Sequence, residues 1–182
     1  MSPAPIVLIG PMGSGKSTVG RALADREHMN HLDLDEMIVT ARGLTVAEIF
    51  EAEGECGFRT LEQKALSSAL AGGPAVVSTG GGVVAVESNR DRLAGSGALI
   101  VWLDASVEVL ARRVDGGAPR PLLASDDVEG TLRTIVAERA DWYNEVADVR
   151  IDTSEATVED CVDLIVAASA PDAPQPVERP SS

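Results

Sequence analysis

Short apolar runs alternate with stretches of helical period along the chain. Ile6-Val7-Leu8-Ile9 is unbroken, largely β-branched and closed by Gly10. It predicts a strand buried on both faces, as in a parallel sheet. Residues 31–35 predict a second strand with carboxylates at its C-terminal end. Ala75-Val76-Val77-Ser78 predicts a third, ended by Gly80-Gly81-Gly82, and Leu99-Ile100-Val101-Trp102-Leu103 a fourth. Val149-Arg150-Ile151 predicts a fifth. Between them, Val19, Leu23 and several alanines recur at helical spacing over 16–27. Thr45-Val46-Ala47-Glu48 fits the capping box that opens a helix. Further helices are predicted over 57–71, 87–94, from Ser106 to 114, over 129–146 and over 157–168. Residues 115–127 are rich in Gly, Pro and Asp and predict a mobile loop. From 170 on, the prolines leave neither helix nor ladder, and a disordered tail is expected. Strands alternating with helices predict an α/β three-layer sandwich around a five-stranded parallel sheet.

Composition narrows the class. The chain has 182 residues, 45% hydrophobic and 24% charged, which fits one soluble domain with a sizeable core. No apolar run approaches the roughly 20 residues of a membrane span. The N-terminus lacks the basic region of a signal peptide, so a cytoplasmic protein is expected. Cys56 and Cys161 lie far apart without CxxC spacing, which fits a reducing compartment and argues against a disulfide or zinc framework. His28 and His31 lack acidic or Cys partners at ligand spacing. Basic residues number 15 against 29 acidic, a net charge of −14. A nucleic-acid or anionic-membrane binder would need the opposite field. An anionic ligand must therefore rely on a local group of cations. Among the basic residues only Lys16 and Lys64 are lysines, so the place of each is informative.

Lys16 sits in Gly10-Pro11-Met12-Gly13-Ser14-Gly15-Lys16-Ser17-Thr18, which contains G-x-x-x-x-G-K-S between an expected strand and an expected helix. That is the context of a P-loop. Its glycines bring backbone N–H groups close to phosphate oxygens, and the helix N-terminus adds a favourable dipole. Gly13, Ser14, Gly15, Lys16, Ser17 and Thr18 are the candidate nucleotide residues. Lys16 would reach the β and γ phosphates, and the Ser17 hydroxyl would ligate Mg²⁺. The other lysine lies in Gln63-Lys64-Ala65, so the N/T-K-x-D base-reading motif of GTPases is absent. Asp33 and Asp35, two apart at an expected strand end, would point the same way near the P-loop, although solvated loop acids would look the same. Arg59 and Arg139, each taken alone, fit surface salt-bridge partners as well as ligand contacts. The five aromatics are Phe50, Phe58, Trp102, Trp142 and Tyr143, placed either as core or as a wall against a ring.

From residue 6 to about 168 the chain resembles the shikimate kinases. The marks are Asp33-Leu34-Asp35, Phe58-Arg59 before Glu62, Gly80-Gly81-Gly82, Arg120-Pro121-Leu122-Leu123, and Arg139 before Tyr143. The resemblance implies a P-loop kinase of nucleoside monophosphate kinase-like architecture. It implies one domain over 1–169, with acceptor-binding helices at about 35–62 and a lid at about 115–127, and a tail over 170–182. It implies phosphoryl transfer from ATP to the 3-hydroxyl of shikimate with Mg²⁺, in aromatic amino-acid biosynthesis. Asp35 would hold the acceptor hydroxyls and take a proton. Arg59 and Arg139 would clamp the carboxylate, and Gly81 would touch the acceptor through its backbone. Asp33 would hold Mg²⁺ through water, and Ser78 would touch a magnesium-bound water. Arg120 on the lid would neutralise the transferring group, and Arg113 would stack on adenine. Lys16, Asp35 and Arg120 are the catalytic candidates. A monomer is expected. After the fifth strand, Ser154-Glu155-Ala156 stands where relatives often carry a basic residue. Gluconate kinase or another small-molecule kinase of the same fold, or a nucleotide-binding regulator without catalysis, is the alternative.

Overall fold

The strands are β1 (Ile6–Ile9), β2 (Asn30–Asp33), β3 (Ala75–Ser78), β4 (Leu99–Asp104) and β5 (Val149–Asp152). All pair in parallel, in the order β2-β3-β1-β4-β5. β1 is central, with Ile6 opposite Val76 on one side and Leu99 on the other. The helices are α1 (Lys16–Glu27), α2 (Leu34–Arg42), α3 (Val46–Ala71), α4 (Glu87–Ala94), α5 (Val107–Val114), α6 (Val128–Val146) and α7 (Val158–Ser169). The computed structural model describes residues 4–114 and 127–170. The expected lid, apart from Asp127, and the expected tail from 171 on lie outside the described residues, and so does Arg120.

Strand alternation sends side chains to two separate cores. Ile6, Leu8, Val76, Val101 and Leu103 pack with Val19 and Leu23 of α1 and Cys161 and Ile165 of α7. Val7, Ile9, Val77, Ile100 and Trp102 pack with Ile38 of α2, Leu66 of α3, Leu93 of α4 and Tyr143 of α6. Because both faces are covered, the inner strands read as continuous apolar runs. A third, smaller cluster joins Leu110 and Val114 of α5 to Leu132 of α6, with Met12 of the P-loop against it. Phe58 is buried in the large core, and Phe50 packs on it with ring centroids 4.7 Å apart.

Two expectations change. The second strand stops at Asp33, because the Asp33 carboxylate caps α2 by accepting from the backbone N–H of Asp35 at 3.0 Å. Asp35 therefore lies in the first turn of a helix and not on a strand end. The helix from Thr45 and the helix over 57–71 form one long element broken at Gly54, whose φ of 68° and ψ of −177° are not helical. The Thr45–Glu48 capping box opens it as expected. Among the described residues no helix is long and apolar enough to cross a membrane.

Candidate active site

In an open parallel sheet, ligands bind beyond the carboxyl ends of the strands where the connections diverge. Here β1 is flanked by β3 and β4, and the loop that follows β1 is Gly10–Gly15. This loop opens a cleft of about 450 Å³. Gly13, Ser14, Gly15, Lys16, Ser17 and Thr18 line it, as do Asp33, Asp35, Gly80, Gly81 and Arg113. Gly10, Gly13 and Gly15 all have positive φ, and a Cβ at Gly10 would collide with the Leu103 carbonyl. α1 begins at Lys16, so the backbone N–H groups of its first turn and its positive dipole end face the cleft.

Lys16 is nearly buried, and its ammonium donates to the carbonyls of Gly10 and Pro11, at 2.8 Å each. The one cation at the centre of the loop is thus held over it by the loop's own backbone. Beside it, the Ser17 hydroxyl donates to Asp33 Oδ2 at 2.6 Å. Asp33 thereby does two things: one oxygen caps α2 and the other faces the P-loop.

A second group of residues converges on Gly80–Gly82, the loop after β3. Each glycine there makes room for a different neighbour. A Cβ on Gly80 would crowd Glu62 Oε1 and, at 3.2 Å, Asp35 Oδ1. A Cβ on Gly81 would lie 3.1 Å from the backbone nitrogen of Met12, so this loop rests directly on the P-loop. A Cβ on Gly82 would occupy the place of the Arg59 guanidinium. From α6, Arg139 Nη1 donates to the Gly81 carbonyl at 3.0 Å. Asp35, Arg59 and Arg139, 104 positions apart from first to last in the chain, therefore meet around one glycine loop. Asp35 and Gly81 line the cleft itself, whereas Arg59 and Arg139 contact the glycine loop without lining the cleft.

Arg59 is not a surface residue. Its side chain is 11% exposed, and it donates to fully buried Glu62 at 2.8 Å and to Glu55 at 3.0 Å. Burial works against the guanidinium's charge, but Glu62 and Glu55 raise its pKa above the usual value. Burial also pushes the Glu62 carboxyl up, Arg59 opposes this, and the nearby Asp35 adds to it. Glu62 Oε1 is buried with no hydrogen-bond partner among the described residues. Glu62 was legible only as a family mark. Its spacing from Arg59, three residues on a helix, is the signal that pairs them.

Two other candidates are held by their neighbours. Ser78 faces α1, not the cleft. Its hydroxyl donates to the Lys16 carbonyl at 3.0 Å, lies 2.9 Å from His31 Nε2, and is covered by Gly20. It shares the sheet face of Val76, so strand alternation turns it from the phosphate side, and Thr79 lines the cleft in its place. Arg113 does line the cleft, but its guanidinium is tied to Thr153, donating to the carbonyl at 2.6 Å and to the hydroxyl at 3.0 Å. The Thr153 hydroxyl is in turn within 3.2 Å of the Ser14 carbonyl, joining the end of β5 to the P-loop. Nothing in the sequence pattern marks Thr153. Ala156 and the start of α7 close this end of the cleft.

This arrangement agrees with comparison to known proteins. The sequence profile of shikimate kinase matches residues 12–170. This chain belongs to the shikimate kinase family. The shikimate kinase of Rhodopseudomonas palustris is 46% identical over 164 residues, covering 90% of this chain and 80% of that protein. Among solved structures, the shikimate kinase of Acinetobacter baumannii in complex with shikimate superposes with a TM-score of 0.86 at 37% identity, covering 90% of each chain. A gluconokinase from Sinorhizobium meliloti is more distant, with a TM-score of 0.58 at 25% identity, covering 92% of this chain and 91% of that one. The family is one of ATP-dependent kinases.

Proposed function

We propose that this protein transfers the γ-phosphoryl group of ATP to the 3-hydroxyl of shikimate, giving shikimate 3-phosphate and ADP, in aromatic amino-acid biosynthesis. The observation that carries the choice of acceptor is the meeting of Asp35, Arg59 and Arg139 around Gly80–Gly82, in contact with the P-loop backbone. One carboxylate and two guanidinium groups suit a small molecule with hydroxyls and a carboxylate. The planar fork of arginine matches a carboxylate in a way lysine cannot.

The reaction asks mainly for positioning and charge neutralisation. Lys16 would leave the Gly10 and Pro11 carbonyls for the β and γ phosphates, with the backbone N–H groups of 13–18 around them. Asp35 would orient the acceptor hydroxyls and accept the proton of the attacking one. Arg59 and Arg139 would hold the carboxylate against the backbone of Gly81. Arg120, on the lid of about 115–127, would stabilise charge on the transferring group. Arg113 would border the base, held by Thr153. Ser17 and Asp33 fit a divalent ion, since both offer oxygen atoms at the cleft. Among the described residues no group of three or more His, Cys, Asp or Glu side chains is set to hold an ion alone. Two oxygen donors completed by phosphate and water suit Mg²⁺, with Asp33 acting through a water. When bound, the ion would neutralise charge on the phosphates. With this activity we infer a monomer over 1–169 working in the cytoplasm.

The test is ADP release by the purified protein with ATP, Mg²⁺ and either shikimate, gluconate or no acceptor. Release is expected with shikimate alone. Release driven by gluconate and not by shikimate would move the chain to the sister activity. Release indifferent to any acceptor would leave a nucleotide-binding protein without this reaction.

A further inference from the structure

The Gly81 carbonyl is held twice. Arg139 Nη1 donates to it at 3.0 Å, and the Tyr143 hydroxyl donates to the same oxygen. Both donors come from α6, one turn apart. A carbonyl oxygen has two lone pairs, so this pair of donors saturates it. The Tyr143 ring is fully buried and stacks on Trp102 of β4, with centroids 5.4 Å apart and planes 23° from parallel. The sheet therefore fixes the ring, and the ring presents its hydroxyl to the loop. Burial raises the phenol's pKa far above its ordinary value, so it remains a donor at any working pH.

The two donors are not equivalent. Arg139 carries a fork of several N–H groups and is assigned to the acceptor's carboxylate; Tyr143 has a single donor and is shut away from the cleft. We infer that Tyr143 is a positioning residue for the acceptor site: it holds the Gly81 carbonyl so that Arg139 can turn to the acceptor while the glycine loop keeps its place. A trans peptide sets the Gly82 N–H antiparallel to the Gly81 carbonyl. The same hydrogen bond thus fixes the backbone on which Arg59 packs. This inference rests on the shikimate kinase activity proposed above.

Tyr143→Phe keeps the ring and its stack and removes only the donor. Loss of one net hydrogen bond is expected to raise the shikimate KM roughly three- to tenfold. The ATP KM and the circular dichroism spectrum are expected to match the parent. In an Arg139→Lys background the effect of Tyr143→Phe is expected to differ from that in the parent, because both residues act on one oxygen. A parent with no shikimate-dependent ADP release would overturn the activity and this inference with it. An active parent with an unchanged shikimate KM in Tyr143→Phe would overturn this inference alone. So would equal rises in both KM values or a variant that fails to fold, since each assigns the phenol to the fold and not to the site, and so would additivity with Arg139→Lys, since it shows that the two residues do not act on one oxygen.

Discussion

Gly82 shows how much of the proposed acceptor site depends on a missing atom. A methyl group there would stand where the Arg59 guanidinium now packs, and displacing that group also pulls it from buried Glu62. Gly82→Ala is therefore expected to lower the melting temperature, because the buried Glu62 carboxylate loses its partner, and to raise the shikimate KM about tenfold or more, on the scale of hydrogen bonds to a charged group. Steady-state kinetics beside a thermal melt would check this; an unchanged KM would separate Arg59 from the acceptor. Sequence reasoning could see Gly80-Gly81-Gly82 as a loop and Arg59 as a candidate. It could not see that each glycine answers a different neighbour, because those neighbours come from α2, α3, α6 and the P-loop. Ser78 is the opposite case. Its place at the strand end was legible, but which face it takes depends on register, and that turned it towards α1 and His31.

At the scale of elements, α2 was the least legible part. β2 is a polar edge strand, Asn30-His31-Leu32-Asp33, and runs straight into the cap of α2. The Asp33-Leu34-Asp35 run therefore looks like a strand end. Leu34, Met37 and Ile38, at helical spacing and packed on the large core, carry the signal of the helix. Five strands and the other helices were legible because continuous apolar runs and caps such as Thr45–Glu48 are local signals. The break at Gly54 was half-visible, as two helices instead of one. Its φ of 68° with ψ of −177° belongs to a region that essentially only glycine occupies. Nothing lies within 4 Å of a Cβ placed there, so crowding adds nothing. Gly54→Ala is accordingly expected to lower unfolding stability by about 1–3 kcal/mol, the cost of backbone strain alone. Urea unfolding measures it directly, and a stability equal to the parent's would show that the helix passes 54 without the break. The break turns the first part of α3 back onto α2, where Arg42 pairs with Glu53, so the same variant is expected to weaken shikimate binding as well.

For the whole molecule, the difficulty is charge: a chain of net charge −14 has to bind two anions. Solvent-exposed charges farther apart than about 8–10 Å are largely screened at physiological salt, so the local groups decide. On the proposed nucleotide side these are the start of α1 and Lys16; on the proposed acceptor side they are Arg59 and Arg139. The two sets sit on either side of one backbone contact, and this makes them separable by experiment. Lys16 now donates to the Gly10 and Pro11 carbonyls. In Lys16→Ala, water from the cleft can reach those carbonyls, so the unliganded melting temperature is expected to fall by only a few degrees. In the parent, nucleotide with Mg²⁺ at a hundred times its Kd is expected to add about 2.7 kcal/mol of stability. For a chain of this length that corresponds to roughly 5–11 °C, taking about 2–4 °C per kcal/mol. Lys16→Ala is expected to lose most of this shift and nearly all turnover, because the missing charge is the one facing the phosphates. Its protection by shikimate is expected to stay, since Arg59, Glu62 and Arg139 are untouched. Thermal melts of parent and variant with each ligand alone decide it. Nucleotide protection equal to the parent's would place the phosphates away from Lys16. Loss of protection by both ligands would mean that the P-loop and the glycine loop move as one body, and that the two sites are not independent.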